Sequence, residues 1–259
     1  MGNKLLSTMS PIEIGSIVFA LLFAGGLLGM AIRARLPERH LSVEARDAIK
    51  FGTGLISTMA AIVLGLLVAS AKGSYDTQRN EITEMSARIV LLDRILAHYG
   101  PESATARDLL RHSIAAMVDR TWPQDRSEHG RLEPASPKTE GDYDAIQMLS
   151  PKSEAERTLQ SQAENIAIEI GSRRWLMFEQ AGNSISTPLL VVLVFWLAII
   201  FLSFGLFAPR NPPVVVTMLL CALSVSGAIF LIMELNHPFE GLVQISSQPM
   251  RDALAHLGQ

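Results

Sequence analysis

The sequence predicts an all-α membrane protein with four transmembrane helices, arranged as two hairpins with a helical hydrophilic domain inserted between helices 2 and 3. Three observations carry this expectation. Hydrophobic residues fill 49% of the 259 positions, and the mean hydropathy is positive at +0.28, more apolar than most soluble domains need. These residues gather in four charge-free runs, about 14–32, 51–71, 188–208 and 214–233, each close to the roughly 20 helical residues that cross a hydrocarbon core. Between the middle two runs lies a polar stretch holding 14 Lys and Arg against 18 Asp and Glu. The expected organisation is a first hairpin over 1–71, a hydrophilic domain over 72–187, a second hairpin over 188–235 and a C-terminal tail over 236–259.

The first run follows a lone Lys4, which raises the possibility of a secretory signal. Its apolar part is too long for that, Arg33, Arg35 and Arg39 follow it rather than precede it, and no small-residue cleavage site closes it. It is expected to remain as a transmembrane helix. The second run, "IVLGLLVASAKGSYDTQRNEI", passes from apolar to charged without a proline. One helix is therefore expected to continue from the bilayer into the domain. Gly73 costs about 1 kcal/mol relative to alanine, too little to break a helix packed on both sides.

Beyond Tyr75 the apolar positions Ile82, Met85, Ile89, Leu92 and Leu96 recur at 3-4-3-4 spacing, a narrow helical stripe. Such a seam needs another helix against it, and it motivates assembly of copies. "HYGPES" stops the helix with Gly100 and Pro101. A second domain helix is expected over about 103–120, with Leu109, Leu110, Ile114, Met117 and Val118 on its apolar side. An exposed loop follows over about 121–149, rich in proline, glycine and charge without period. Ser150 and Pro151 resemble a cap and a first-turn proline, opening a third helix with Leu159, Ile166 and Ile170. Where that helix returns to the bilayer, Arg173, Arg174 and Trp175 form an expected interfacial anchor. Pro188 opens the third transmembrane helix, and "PRNPP" turns into the fourth.

Several function classes are disfavoured. The polar stretch carries a formal charge of −4, whereas nucleic-acid binding selects basic faces. The single cysteine, Cys221, lies inside the fourth run, which leaves no intrachain disulfide and marks it as a small apolar packing residue. The six histidines are scattered, with no pair at the i, i+4 spacing of a helical metal site. No convergent nucleophile, acid–base pair or phosphate-binding loop is evident. Neither an enzyme nor a cofactor or metal site is expected.

The second run is far richer in small and hydroxyl residues than the others: Gly52, Thr53, Gly54, Ser57, Thr58, Ala60, Ala61, Gly65, Ala69 and Ser70. On a helix Gly54, Thr58, Ala61, Gly65 and Ala69 share one face. Two readings follow. Gly54, Ala61, Gly65 and Ala69 serve close helix packing, or copies of the helix ring an axis and turn hydroxyl and aliphatic side chains toward a pore. Spacing alone favours packing.

Three segments carry a resemblance: "VLGLLVASAKGSYD", its continuation "RNEITEMSAR", and "ELNHPFEGLVQISSQPM" after the fourth run. They resemble the bestrophin-like domain family of bacterial membrane proteins, which is distantly similar to the bestrophin ion channels. The resemblance implies a homo-oligomer, a pentamer by analogy, that passes inorganic ions through a hydrophobic neck built by the second helix. The matching neck positions are Thr58, Ile62 and Leu66. Aliphatic rings of this kind can gate by dewetting. The resemblance does not extend to calcium binding, because Glu240 stands alone among neutral residues where Ca²⁺ wants six or more oxygen ligands.

Orientation is contested. Arg33, Arg35, Arg39, Arg46, Lys50 and Arg210 in the short connections would hold these in the cytoplasm by the positive-inside rule. Lys72, Arg79, Arg88, Arg173 and Arg174 at the ends of the polar stretch nearly balance them. The resemblance implies the opposite arrangement, with the domain and both termini in the cytoplasm of a bacterial inner membrane, and this is the expectation adopted. The alternative function is a non-conducting membrane scaffold or sensor whose helical domain binds a partner.

Overall fold

The computed structural model describes residues 10–35, 43–123, 141–181, 187–209, 211–239 and 241–259, and among these no strand occurs. The helices are α1 (Pro11–Arg35), α2 (Val43–Tyr99), α3 (Ala104–Thr121), α4 (Gly141–Gln147), α5 (Glu154–Ala181), α6 (Thr187–Phe207), α7 (Pro212–Leu235) and α8 (Gln248–His256), with a 3-10 turn at Pro101–Ser103. Four of them, α1, α2, α6 and α7, are long and apolar enough to cross a bilayer. The chain divides into two compact units, Met1–Gly73 with Ser184–Asn236, and Ser74–Asn183 with His237–Gln259.

In the first unit, α1 packs against α6 and α7. Its start is a capping box, in which the Ser10 N–H donates to the Glu13 carboxylate at 2.8 Å and the Glu13 N–H to the Ser10 hydroxyl at 3.2 Å. Pro11 then occupies the first turn, where a missing N–H is harmless. The buried side of α1 runs Ile14, Val18, Leu22, Gly26, Gly29 and Met30. Lipid tails are as apolar as leucine, so close van der Waals contact rather than water exclusion must hold such helices together. Glycine permits that closeness here. A Cβ on Gly29 would clash with backbone atoms of Leu202 and Leu206, and one on Gly205 with those of Gly26 and Met30. At the far end the Arg33 guanidinium donates to the Phe207 and Ala208 carbonyls at 3.0 and 2.5 Å, satisfying carbonyls that the end of α6 leaves without helical partners.

Helix α2 is 57 residues long, far beyond the roughly 20 that a bilayer requires, and Gly73 does not interrupt it. It ends at Tyr99 because Gly100 takes a φ of +122°, a conformation that favours glycine, and Pro101 follows.

The described residues of the second unit share an apolar core. Ile82, Met85, Ile89, Leu92 and Leu96 of α2 lie in it with Leu110, Ile114, Met117 and Val118 of α3, Ile146 of α4, and Ala163 and Met177 of α5. The 3-4 seam is thus covered within the chain, and it gives no argument for a second copy, contrary to the expectation drawn from it. Ionic contacts fix the pairing of α2 with α5. Glu84 meets Arg173 at 2.6 Å, and one turn further on Arg88 meets Glu169, so the two helices run antiparallel. Asp93, its side chain only 1% exposed, is gripped by Arg107 at 2.8 and 2.9 Å and also accepts the Gly258 N–H at 3.3 Å.

Three expectations need correction. The third domain helix starts at Glu154, beyond Ser150 and Pro151, because Ser153 caps it. The Glu156 N–H donates to the Ser153 hydroxyl at 3.2 Å, and the Glu156 carboxylate accepts the Lys152 N–H at 2.6 Å. The stretch 121–149 is not one exposed loop: Trp122 is buried in the core, and 141–147 form α4, whose end is closed by the Gln160 amide on the Ile146 and Leu149 carbonyls at 2.9 and 3.0 Å. Residues 124–140 lie outside the described residues. The stretch expected as a separate C-terminal tail belongs to the second unit from His237 on, where Phe239, Ile245, Met250 and Leu257 are core residues.

Candidate functional site

The membrane part of α2 is the least covered of the four spans: 17% of its most apolar window is buried, against 39% in α1. Ala60, Leu67 and Ala71 form its inward side. The other side is bare within the chain. Thr58 is exposed, and Ile62 and Leu66 are 67% and 59% exposed, so all three neck positions lie on one uncovered flank. Gly54, Ala61, Gly65 and Ala69 are exposed too, and no atom lies within 4 Å of where a Cβ on Gly54 or Gly65 would sit. Among the described residues these four lie outside the buried packing of the chain. The glycines with the closest approaches are Gly26, Gly29 and Gly205, beside Gly15 against Phe230; "GGLLG" in the first run is the sequence signal for Gly26 and Gly29.

Exposure by itself does not separate a pathway from a lipid face, since Val191 and Phe195 of α6 and Leu220 and Leu223 of α7 are equally bare. What sets α2 apart is the density of small residues on that flank, Gly54, Ala61, Gly65 and Ala69 beside Thr58; exposed hydroxyls bonded to their own helix occur on α7 as well, at Thr217 and Ser224. The Thr58 hydroxyl donates to the Gly54 carbonyl at 3.1 Å and the Ser57 hydroxyl to the Thr53 carbonyl at 2.8 Å. Each hydroxyl hydrogen is therefore satisfied by its own helix, while oxygen lone pairs stay available on the surface. Thr53 also shares a hydroxyl–hydroxyl contact of 3.0 Å with Ser203 of α6.

The residues of the expected anchor have different surroundings. Arg173 is held by Glu84, Arg174 is buried, and Trp175, 46% exposed, rests edge-on against Phe178 at 6.2 Å. Cys221 is exposed. Glu240 lies outside the described residues. Among the described residues no group of three or more His, Cys, Asp or Glu is placed to hold a metal ion.

Parts of two of the segments that carried the resemblance meet in the second unit. The Tyr75 hydroxyl donates to the Gln244 carbonyl at 3.3 Å. The Ile245 N–H donates to the Pro238 carbonyl at 2.8 Å, which ties Ile245 back to Pro238 as a C-terminal bracket, and Phe239 packs edge-on against Trp122 at 5.8 Å.

An all-helical chain with four membrane-length helices, one of them long, small-residue-rich and uncovered, defines a multi-pass helical membrane protein. The chain belongs to the Bestrophin-like domain family, whose sequence model matches residues 20–250. No curated protein and no solved structure matches it.

Proposed function

We propose that the chain is a homo-oligomeric, bestrophin-like ion channel or pore, with α2 lining the pathway and Thr58, Ile62 and Leu66 at its narrowest part. The observation that carries this reading is the uncovered flank of α2, where small, hydroxyl and aliphatic residues face away from the rest of the chain. Family membership supports it. Copies of this flank around an axis would stack one hydroxyl ring and two aliphatic rings over about 12 Å of helix. Water deserts such rings when they are narrow, and an ion cannot shed its hydration shell there without replacement ligands. Gly54, Ala61, Gly65 and Ala69 would let neighbouring copies approach closely.

The same reading arranges α1 with α2 and α6 with α7 as two hairpins, with the helical hydrophilic domain inserted between them. The domain and both termini face the cytoplasm of a bacterial inner membrane, Arg173, Arg174 and Trp175 mark the interface, and the permeant species are inorganic ions. We assign the chain no enzymatic step, cofactor or nucleic-acid partner. Purified protein in planar bilayers is expected to give discrete ion-selective current steps. An intact oligomer with flat records would favour a non-conducting scaffold or sensor instead, and a monodisperse monomer by native mass spectrometry would exclude the pore outright.

A further inference from the structure

Where α1 and α6 end and α2 begins, the first unit holds an open cavity of about 390 Å³, lined by Arg46, Lys50, Thr53, Ser57, Ser203 and Phe207 among others. Beside it, in the cleft of α6 and α7, lies a second of about 320 Å³, lined by Phe201, Val214, Thr217, Met218 and Cys221. Phe204 and Ala208 line both. A cationic chamber and an apolar chamber thus share one wall.

We propose that the two chambers together bind one anionic phospholipid, its phosphate between Arg46 and Lys50 and an acyl chain along Phe204 in the α6–α7 cleft. Among the described residues no carboxylate lines either chamber, which disfavours a cationic ligand. The hydroxyls are already committed: Thr53 donates to the Ile49 carbonyl at 2.8 Å or shares with Ser203, and Ser57 bonds the Thr53 carbonyl. An anion must therefore be met by the two cations. The Arg46 guanidinium lies 5.8 Å from the Phe207 ring centre, an electrostatic contact that does not itself consume the N–H donors. Lys50 approaches Asp47 only at 4.0 Å, with both side chains more than half exposed, a pairing weak enough to yield to a phosphate.

The membrane setting favours a lipid over a soluble anion. Basic side chains at the end of a transmembrane helix lie at headgroup depth and attract anionic headgroups by charge on whichever face they stand, which in the orientation proposed above is the non-cytoplasmic one. A free phosphate would also leave the apolar chamber empty, and Phe204, 56% exposed on their common wall, would gain nothing. The site does not depend on conduction by α2.

The test uses the full chain in detergent, with palmitoyl-oleoyl phosphatidylglycerol, phosphatidylcholine with the same chains, and glycerol 3-phosphate as probes. Native mass spectrometry should show phosphatidylglycerol bound about 30-fold more tightly than phosphatidylcholine, roughly fivefold for each of two cations. The double variant Arg46→Gln, Lys50→Gln should erase that preference. Thr217→Phe, which obstructs the apolar chamber without touching either cation, should weaken both lipids. Phosphatidylglycerol should also slow alkylation of Cys221, the chain's single cysteine. Equal binding of the two lipids, or a preference that survives the double variant, overturns the proposal. So does glycerol 3-phosphate competing at the lipid's own half-saturation while Cys221 stays unprotected, which would assign the cations to a soluble phosphate.

Discussion

The indole N–H of Trp122 donates to the backbone carbonyl of Ile245 across 2.8 Å inside the core of the second unit. Trp122 is the first residue past α3, and Ile245 sits in the C-terminal bracket, so this bond ties the last part of the chain to the domain's centre. Trp122→Phe keeps most of the ring's packing but orphans the carbonyl, which should cost about 1–3 kcal/mol. Trp122→Ala should cost about 3–5 kcal/mol, because a cavity is added. Hydrogen exchange followed by mass spectrometry on peptides from 241–257 should report both losses. Unchanged protection in Trp122→Phe would mean that the bracket is held by its apolar contacts alone.

Asp93 and Arg107 form the buried two-pronged pair of the same unit. Asp93→Ala leaves the guanidinium without its partner and should destabilise the full chain by about 3–5 kcal/mol. Combining Asp93→Leu with Arg107→Met should cost much less, since a well-packed apolar pair avoids the desolvation of two charges. Thermal unfolding of both variants in detergent decides it. Equal losses would show that packing, and not an uncompensated charge, dominates at this position.

Acid should loosen the contact between Glu102 and Lys152, which are 2.8 Å apart. The hydrogen bond from the Lys152 ammonium, chiefly, holds the Glu102 carboxyl below its ordinary range, and the same bond raises Lys152. The ionised carboxylate is therefore favoured by folding. Its contribution is complete above the unfolded value of about 4.3 and disappears as pH falls through the lower folded one. For Lys152 the contribution is complete below about 10.4 and disappears as pH rises through the raised value. Glu102→Gln should flatten both limbs of the Tm profile against pH while barely moving Tm at neutrality, because the pair is exposed and screened. An acid limb of unaltered slope would show that the contact does not persist in solution.

Glycines in the membrane unit should divide into two kinds. Gly205→Ala and Gly29→Ala would drive a methyl into facing backbone, which cannot swing aside, and should lower the thermal stability of the isolated subunit by about 1–3 kcal/mol. Gly65→Ala meets open space in the subunit and should leave subunit folding intact or slightly improved. If Gly65 faces a neighbouring copy, the same change should shift native mass spectra from oligomer toward monomer. A Gly65→Ala protein with an undisturbed oligomer removes that face from the interface.

Ile62 and Leu66 are too exposed within the subunit for truncation to open a cavity there. Ile62→Ala and Leu66→Ala should therefore fold normally, widen the aliphatic rings and raise conductance or leak in planar bilayers. Should these side chains lie between copies instead, truncation would cost the oligomer about 2–5 kcal/mol with no gain in flux. That second pattern counts for the scaffold.

The four membrane-length helices, the unbroken passage of α2 through Gly73 and its end at Gly100 were legible in the amino-acid order. A helix in lipid satisfies its backbone within its own segment, so length, apolarity and local breakers settle it without reference to the rest of the chain. The seam from Ile82 to Leu96 was legible as a stripe in need of a partner, but periodicity cannot say which surface answers it. Four further helices, α3, α4, α5 and α8, and the C-terminal bracket do. Composition likewise drew attention to Gly54 and Gly65, whereas Gly26, Gly29 and Gly205 make the close approach, since a glycine's worth depends on what faces it. The juxtapositions of Trp122 with Ile245, Tyr75 with Gln244, and Arg46 with Phe207 join residues more than 120 positions apart. Only the tertiary structure decided them, because such contacts arise from how the helices pack and leave no periodic trace in the local sequence.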